Sequence, residues 1–207
     1  VFTGLGSFES ATKVKVTGDK ETLIEGANII IATGSKPASL PGMEIDKKRI
    51  ISSTEALSLK EIPKHLIVIG GGVIGMELGS VYKRLGAEVS VVEYAPSIIP
   101  TMDAGLGKEL ARVMKKEKMK FYLGHKVTSV TSKGKVVTVK AEGKKGEVAL
   151  EGDYCLVSVG RRPYTDGLGL EKAGVKMDDR GRVEVNEHLQ TNVSNIYAIG
   201  DVVKGAM

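Results

Sequence analysis

Three glycines and one carboxylate carry the first chemistry legible in this chain. Gly70, Gly72 and Gly75 stand in the spacing GxGxxG within residues 66–93, LIVIGGGVIGMELGSVYKRLGAEVSVVE, and Glu93 follows 18 residues after the last of them. In a strand–turn–helix unit each glycine has its own task. Gly70 permits a tight turn, Gly72 lets the backbone come up to a pyrophosphate, and Gly75 lets the helix pack closely on the strand. Free N–H groups and the positive end of the helix dipole then face the phosphates. A carboxylate at the end of the next strand accepts hydrogen bonds from ribose hydroxyls, and it repels the 2′-phosphate of NADP. Tyr94, Ala95 and Pro96 follow Glu93 and bring no Arg to pair that phosphate. The spacing therefore predicts NAD in preference to NADP.

The glycine pattern alone is a weak signal, so the elements around it decide its meaning. Leu66 to Ile69 reads as an apolar strand. Ile74, Leu78, Val81, Tyr82 and Leu85 fall at i, i+4, i+7, i+8 and i+11, which predicts a helix with that face on a sheet, and Gly86 supplies its stop. Ala87 to Val92 then reads as the buried strand that delivers Glu93. Together these make a βαβ unit.

Downstream, Asp103 is placed to cap a second helix with Leu106, Leu110, Val113 and Met114 on one face, and Phe121 to Leu123 predicts a third parallel strand. From Lys126 to Leu150 the period changes to alternation. Turn signals at Lys133-Gly134-Lys135 and from Gly143 to Gly146 predict a small antiparallel meander, after which Tyr154 to Val159 resumes a buried strand.

Upstream, Lys13 to Thr17, Thr22 to Ile24 and Asn28 to Ala32 read as strands. The last runs into Thr33-Gly34-Ser35-Lys36-Pro37, which fits either an ordinary loop or a turn where backbone meets a ligand. Pro37, Pro41 and Gly42 mark a crossover, and Ser52 with Glu55 predicts a capping box on a short helix ending before Pro63. Arg182 to Val185 and Ile196 to Ile199 read as further strands. Asp201 follows the last of them, at the ligand edge of a sheet or as the cap of a next helix.

Composition narrows the classes. The 207 residues, 42% hydrophobic, suffice for one large or two modest domains. The net charge of +5 is spread out, and the densest basic run, Arg112 to Lys120, lies where a helix C-terminus favours cations. Without Trp and with 4% aromatics, the chain has no basic face with stacking residues, which argues against nucleic acid. No stretch approaches the roughly 18 apolar residues of a membrane span and no signal-peptide pattern opens the chain, so a soluble intracellular protein is expected. The single Cys155 excludes an intrachain disulfide and reads as a small buried apolar residue. His65, His125 and His188 have no Cys or carboxylates grouped at ligand spacing, so no metal site is expected. The start at Val1 and the end at Gly205-Ala206-Met207 read as those of a fragment.

In their order along the chain, IIIATGSKP, VIGGGVIGMELG, SVVE, SVGRRP and IYAIGDVV resemble the FAD-dependent pyridine-nucleotide disulfide oxidoreductases. GSVYKRLGAEVSVVE and GRRPYTDGLGLEKAGV are most similar to the branch that oxidises dihydrolipoamide. The resemblance covers essentially the whole chain. It implies an α/β fold: a Rossmann-like three-layer NAD-binding domain with an antiparallel β-meander over residues 43–160, flanked by incomplete pieces of an FAD-binding domain at 1–42 and 161–207. By motif it places Gly70, Gly71, Gly72, Val73, Ile74, Gly75, Met76 and Glu77 along the pyrophosphate and the nicotinamide side of NAD. Glu93 would hold the adenosine ribose, Val127 would border the adenine by its backbone, and Gly160 would approach the nicotinamide end. Gly6, Thr33, Gly34 and Ser35 would lie along FAD, with Asp201 on its ribityl chain and Met207 at the edge of the same site.

The parent implied by the resemblance is a homodimer that oxidises dihydrolipoamide on a lipoyl-bearing acyltransferase and reduces NAD through FAD and a redox disulfide. Its compartment would be bacterial cytoplasm or a mitochondrial or plastid matrix, without nucleic-acid or membrane partners. The family's FAD-binding GxGxxG, its cysteine pair and its His–Glu acid/base pair are not among these residues, so no catalytic residue is assigned and this chain alone is expected to be inactive. Two rival readings stay open: a piece of a related flavoprotein reductase or NADH oxidase, and a non-catalytic NAD-binding module.

Overall fold

The computed structural model describes residues 1–144 and 146–205. Met207, placed by resemblance at the edge of the FAD site, lies outside the described residues. The chain divides into two compact units, Val1–Lys36 with Arg161–Met207, and Pro37–Gly160.

The first unit opens with an antiparallel meander of β1 (Leu5–Phe8), β2 (Lys13–Thr17) and β3 (Glu21–Glu25). The short strands β4 (Ile29–Ile31) and β5 (Ser35–Pro37) follow. The chain then enters the second unit through β6 (Ile50–Ile51) and α1 (Ser53–Ala56), whose capping box is the one expected, with Glu55 accepting the Ser52 backbone N–H at 2.9 Å. Next come β7 (His65–Ile69), α2 (Val73–Arg84), β8 (Glu88–Glu93), α3 (Ala104–Lys116) and β9 (Lys120–Leu123). A meander of β10 (His125–Lys133), β11 (Val136–Gly143) and β12 (Gly146–Gly152) leads to β13 (Tyr154–Val157). The return to the first unit adds β14 (Arg161–Pro163), paired with β5, and β15 (Ile196–Ala198), parallel to β4.

In the second unit β6, β13, β7, β8 and β9 lie side by side in that order, all parallel. Why the strand sequences are apolar at nearly every position follows from what covers them. Leu66 and Val68 of β7, with Tyr154 and Leu156 of β13, pack on the side that holds Met76 and Tyr82 of α2 and Met114 of α3. Their neighbours Ile67, Ile69, Cys155 and Val157 pack with Val130, Val137 and Val139 of the meander. Helices, parallel sheet and meander thus form three layers, and full burial of each Leu, Ile or Val contributes about 1.5–3 kcal/mol. Cys155 is completely buried in the meander-side core, and burial, with the Asp46 charge as a lesser cause, pushes its thiol pKa up. It is an apolar filler, as its sequence context suggests.

Several expectations need correction. The contact face of α2 is not the Ile74–Leu78–Val81–Tyr82–Leu85 stripe, because Val81 and Leu85 are 48% and 52% exposed. The buried residues are Gly75, Met76, Gly79 and Tyr82. Two glycines let the helix axis approach the sheet, so the line of contact runs through the smallest residues rather than the largest. In α3 the same shift leaves Leu106 exposed and buries Gly107 and Met114. Gly86 does end α2, at φ +102°, where Ala87 N–H reaches Tyr82 O and Gly86 N–H reaches Lys83 O in a Schellman cap.

Arg182 to Val185 forms no strand; Val183 makes only isolated bridges to Met177 and Val203. The first crossing between units falls at Lys36/Pro37 rather than after Gly42. Ala38 N–H already donates to Gly160 O, Val130 N–H donates to Gly42 O, and Met43 is buried in the meander-side core. No helix of the described residues is long and apolar enough to cross a membrane.

Candidate functional site

At the carboxyl end of β7 the chain turns through Gly70 and Gly71 into α2. Gly70 has φ +100°, and its N–H donates to Val92 O of β8 at 2.9 Å. Gly72 is the helix N-cap, in extended conformation and without a side chain to satisfy the helix. The first bond into the helix is Met76 N–H to Gly72 O at 3.0 Å, so the N–H groups of Val73, Ile74 and Gly75 precede the helical ladder and have no partner among the described residues. No acidic residue occupies the first turn of α2, and a Cβ on Gly72 would meet nothing within 4 Å. The helix head thus presents free donors, a positive dipole end and open space, the three requirements for seating a pyrophosphate. The residues present fit a dinucleotide.

Gly75 is used in the opposite way. A Cβ there would stand 2.1 Å from Gly70 O, 2.6 Å from Ser158 Oγ and 3.1 Å from Val68 Cγ1, so helix, glycine loop, β7 and the segment just past β13 meet at its Cα. The glycine loop is anchored from three sides. Ser158, just past β13, donates its hydroxyl to Ile69 O at 2.9 Å and Gly70 O at 3.1 Å, and its N–H also reaches Ile69 O at 2.8 Å. From the end of β8, Glu93 accepts Gly71 N–H on Oε2 and Ala95 N–H on Oε1, both at 2.6 Å. On the third side Ile99 N–H donates to Gly71 O at 2.7 Å, with Ile99 held at φ +42°, an unfavourable conformation for a β-branched residue. Ser158→Ala removes the hydroxyl bridge without adding bulk. It is expected to lower stability by about 1 kcal/mol and to weaken nucleotide binding several-fold, read by thermal melting and NADH titration.

Other residues singled out from the sequence fall as follows. Val73 and Glu77 are exposed, Ile74 is half-buried and Met76 lies in the core. Glu93 pairs in register with Leu123 of β9, and Gly124 N–H donates to Ala95 O, which draws the start of β10 to the end of β8. Val127 follows at a β-bulge in β10, its side chain buried on the meander side. Gly160, exposed at φ +124°, lies two residues beyond Ser158.

In the first unit, Thr33 is exposed and Gly34 turns the chain at φ +66° while its carbonyl accepts Tyr164 N–H. Ser35 hydroxyl donates to Asp201 Oδ2 at 2.6 Å and accepts from Arg161 Nε at 2.7 Å, while Arg161 Nη2 donates to Ser35 O at 2.6 Å. Asp201 lies inside the 3-10 turn Gly200–Val202, whose N-cap is Ile199. Gly6 is exposed on β1, paired with Val16. Sequence reasoning passed over Ser158 and Arg161, although both stand in the SVGRRP segment that carried part of the resemblance.

Residues 2–207 match the family model described as pyridine nucleotide-disulphide oxidoreductase. The chain belongs to that family. It is 54% identical to Dihydrolipoyl dehydrogenase 2, mitochondrial, of Arabidopsis thaliana, over 99% of this chain and 41% of that protein. It is 50% identical to leghemoglobin reductase of Glycine max, over 99% of this chain and 40% of that protein. Among solved structures, the Cu(II) complex of the HOCl-induced flavoprotein disulfide reductase RclA from Escherichia coli superposes with a TM-score of 0.88 at 29% identity, covering 99% of this chain and 46% of that one. LpdA from Mycobacterium tuberculosis gives 0.85 at 29%, over 97% and 45%. The chain spans about 41% of the length of the Arabidopsis relative. Members of the family use FAD and NAD, and the fold is the Rossmann-like α/β class with meander expected from the sequence.

Proposed function

We propose that this chain is the NAD-binding region, with part of the FAD-binding region, of a dihydrolipoyl dehydrogenase. The observation that supports it most is the head of α2, where unpartnered N–H groups and open space at Gly72 lie in the same loop that Glu93 grips. In this reading residues 37–160 form the NAD domain and the flanking unit supplies pieces of the FAD domain. The N–H groups of Gly72 to Gly75 hold the pyrophosphate, and Gly71 and Val73 to Glu77 line the path toward the nicotinamide. Glu93 accepts the adenosine ribose hydroxyls, Val127 backbone borders the adenine, and Gly160 leaves room beside the nicotinamide. Gly6, Thr33 to Ser35 and Asp201 follow FAD, with Met207 assigned to its edge by resemblance alone.

NAD and FAD, when bound, would supply the hydride chemistry, and the protein's part would be to orient them and exclude competing reactions. In the whole protein we assign oxidation of dihydrolipoamide carried on a lipoyl-bearing acyltransferase, a homodimeric state, and a mitochondrial-matrix or equivalent compartment. A second reading is a flavoprotein reductase for another acceptor, since relatives at 50% and 51% identity carry the name leghemoglobin reductase. The shared region reads the coenzyme and not the electron acceptor, so identity over it does not separate the two.

Titration of the purified chain with NADH and NADPH tests the coenzyme reading. NADH is expected to bind at least about 100-fold tighter, which corresponds to roughly 2.8 kcal/mol. Equal or tighter binding of NADPH would sink it.

A further inference from the structure

We propose that Glu93 is also a positioning residue for the glycine loop, whose carboxylate latches Gly71 to the end of β8. The proposal rests on the NAD reading for its functional consequence, not for its geometry. Each oxygen of Glu93 accepts one backbone N–H, Gly71 on Oε2 and Ala95 on Oε1, both at 2.6 Å. A backbone N–H donating to a carboxylate makes a charge-assisted bond.

The packing is equally committed. A Cβ on Gly71 would stand 3.3 Å from both Cβ and Cγ of Glu93 and 3.1 Å from Ile98 Cγ2, so the acid's aliphatic stem and Ile98 pack closely on this glycine. With Gly71 O taken by Ile99 N–H at 2.7 Å, both polar ends of that residue are tied. The residue just before the helix N-cap therefore cannot swing, and the donors of Gly72 to Gly75 are preset. A carboxylate offers about four lone-pair sites, so one remains on each oxygen for a ribose hydroxyl, and the two tasks are compatible. A glutamine, with a single acceptor oxygen, keeps only one of the two bonds. An aspartate, shorter by one methylene, loses the reach to Gly71.

Amide hydrogen exchange, followed by NMR on the purified nucleotide-free chain, tests the latch directly. The Gly71 and Ala95 amides are expected to be protected in the native sequence. Glu93→Gln is expected to speed exchange at one or both by about tenfold or more, the effect of losing one charge-assisted bond. The Gly70 amide, held by Val92 O within the backbone network, should keep its protection and so report an intact fold. If Glu93→Gln also exposes Gly70, Glu93→Asp replaces it, with the same expectation of fast Gly71 and slow Gly70. An unprotected Gly71 amide in the native chain overturns the latch, as does a folded variant that leaves both rates unchanged. A chain that shows the latch yet binds no NADH overturns the coenzyme reading instead, because the exchange measurement needs no nucleotide.

Discussion

Gly72→Val is expected to leave the chain folded and to remove NADH binding. The position tolerates a side chain on both counts that matter for folding. Its φ of −71° and ψ of −177° suit any L-residue, and a Cβ there meets nothing within 4 Å. The N-cap preference for glycine over valine costs about 1 kcal/mol or less, a shift of a few degrees in Tm. The same open space is where a pyrophosphate must come within hydrogen-bond distance of the α2 N–H groups, and a branched side chain fills it. Binding should weaken by about 100-fold or more, equivalent to at least roughly 2.8 kcal/mol. Circular dichroism melting and NADH fluorescence titration on the same sample separate the two effects. Retained NADH affinity in the folded variant would show that the dinucleotide does not approach at Gly72.

Gly75→Ala should act through the fold. The added methyl would stand 2.1 Å from Gly70 O and 2.6 Å from Ser158 Oγ, and the nearer of these is backbone, which cannot rotate aside. Relief requires α2 to lift from β7 or the Gly70 peptide to turn, and either disturbs the bonds from Ser158 to Ile69 O and Gly70 O. Overpacking of this kind costs about 3 kcal/mol. In the second unit that is a large fraction of a typical domain's stability of about 5–15 kcal/mol. Lower melting temperature and lost NADH affinity are expected together, in contrast to Gly72→Val. A Gly75→Ala chain that melts like the native one would mean that helix and loop are less closely joined than these distances require.

The contrast between the two glycines marks the reach of sequence reasoning. The GxGxxG spacing predicted a close packing task for the third glycine and a ligand-facing task for the second, because a tight turn entering a helix has few local solutions. The capping box at Ser52, the stop at Gly86, the meander turns and the burial of Cys155 were legible for the same reason: each depends on residues close in sequence or on a continuous apolar run. The α2 face was misread. Periodicity counts large apolar residues, but Gly75 and Gly79 bring the backbone itself to the sheet and turn Val81 and Leu85 outward. A two-residue apolar alternation likewise suggested a strand from Arg182 to Val185, where Val183 finds only single bridging partners.

The sequence by itself determined the βαβ unit, the acid that follows it and the family to which the chain belongs, since these rest on residue types at short, regular spacings. The tertiary structure decided how the glycine loop is held. Ser158 reaches Ile69 O from 89 residues away, only because β13 lies beside β7 in the sheet. Arg161 meets Ser35 across 126 residues through the pairing of β14 with β5. Strand order sets which hydroxyl faces which carbonyl, and strand order is a property of the packed chain that no local spacing encodes.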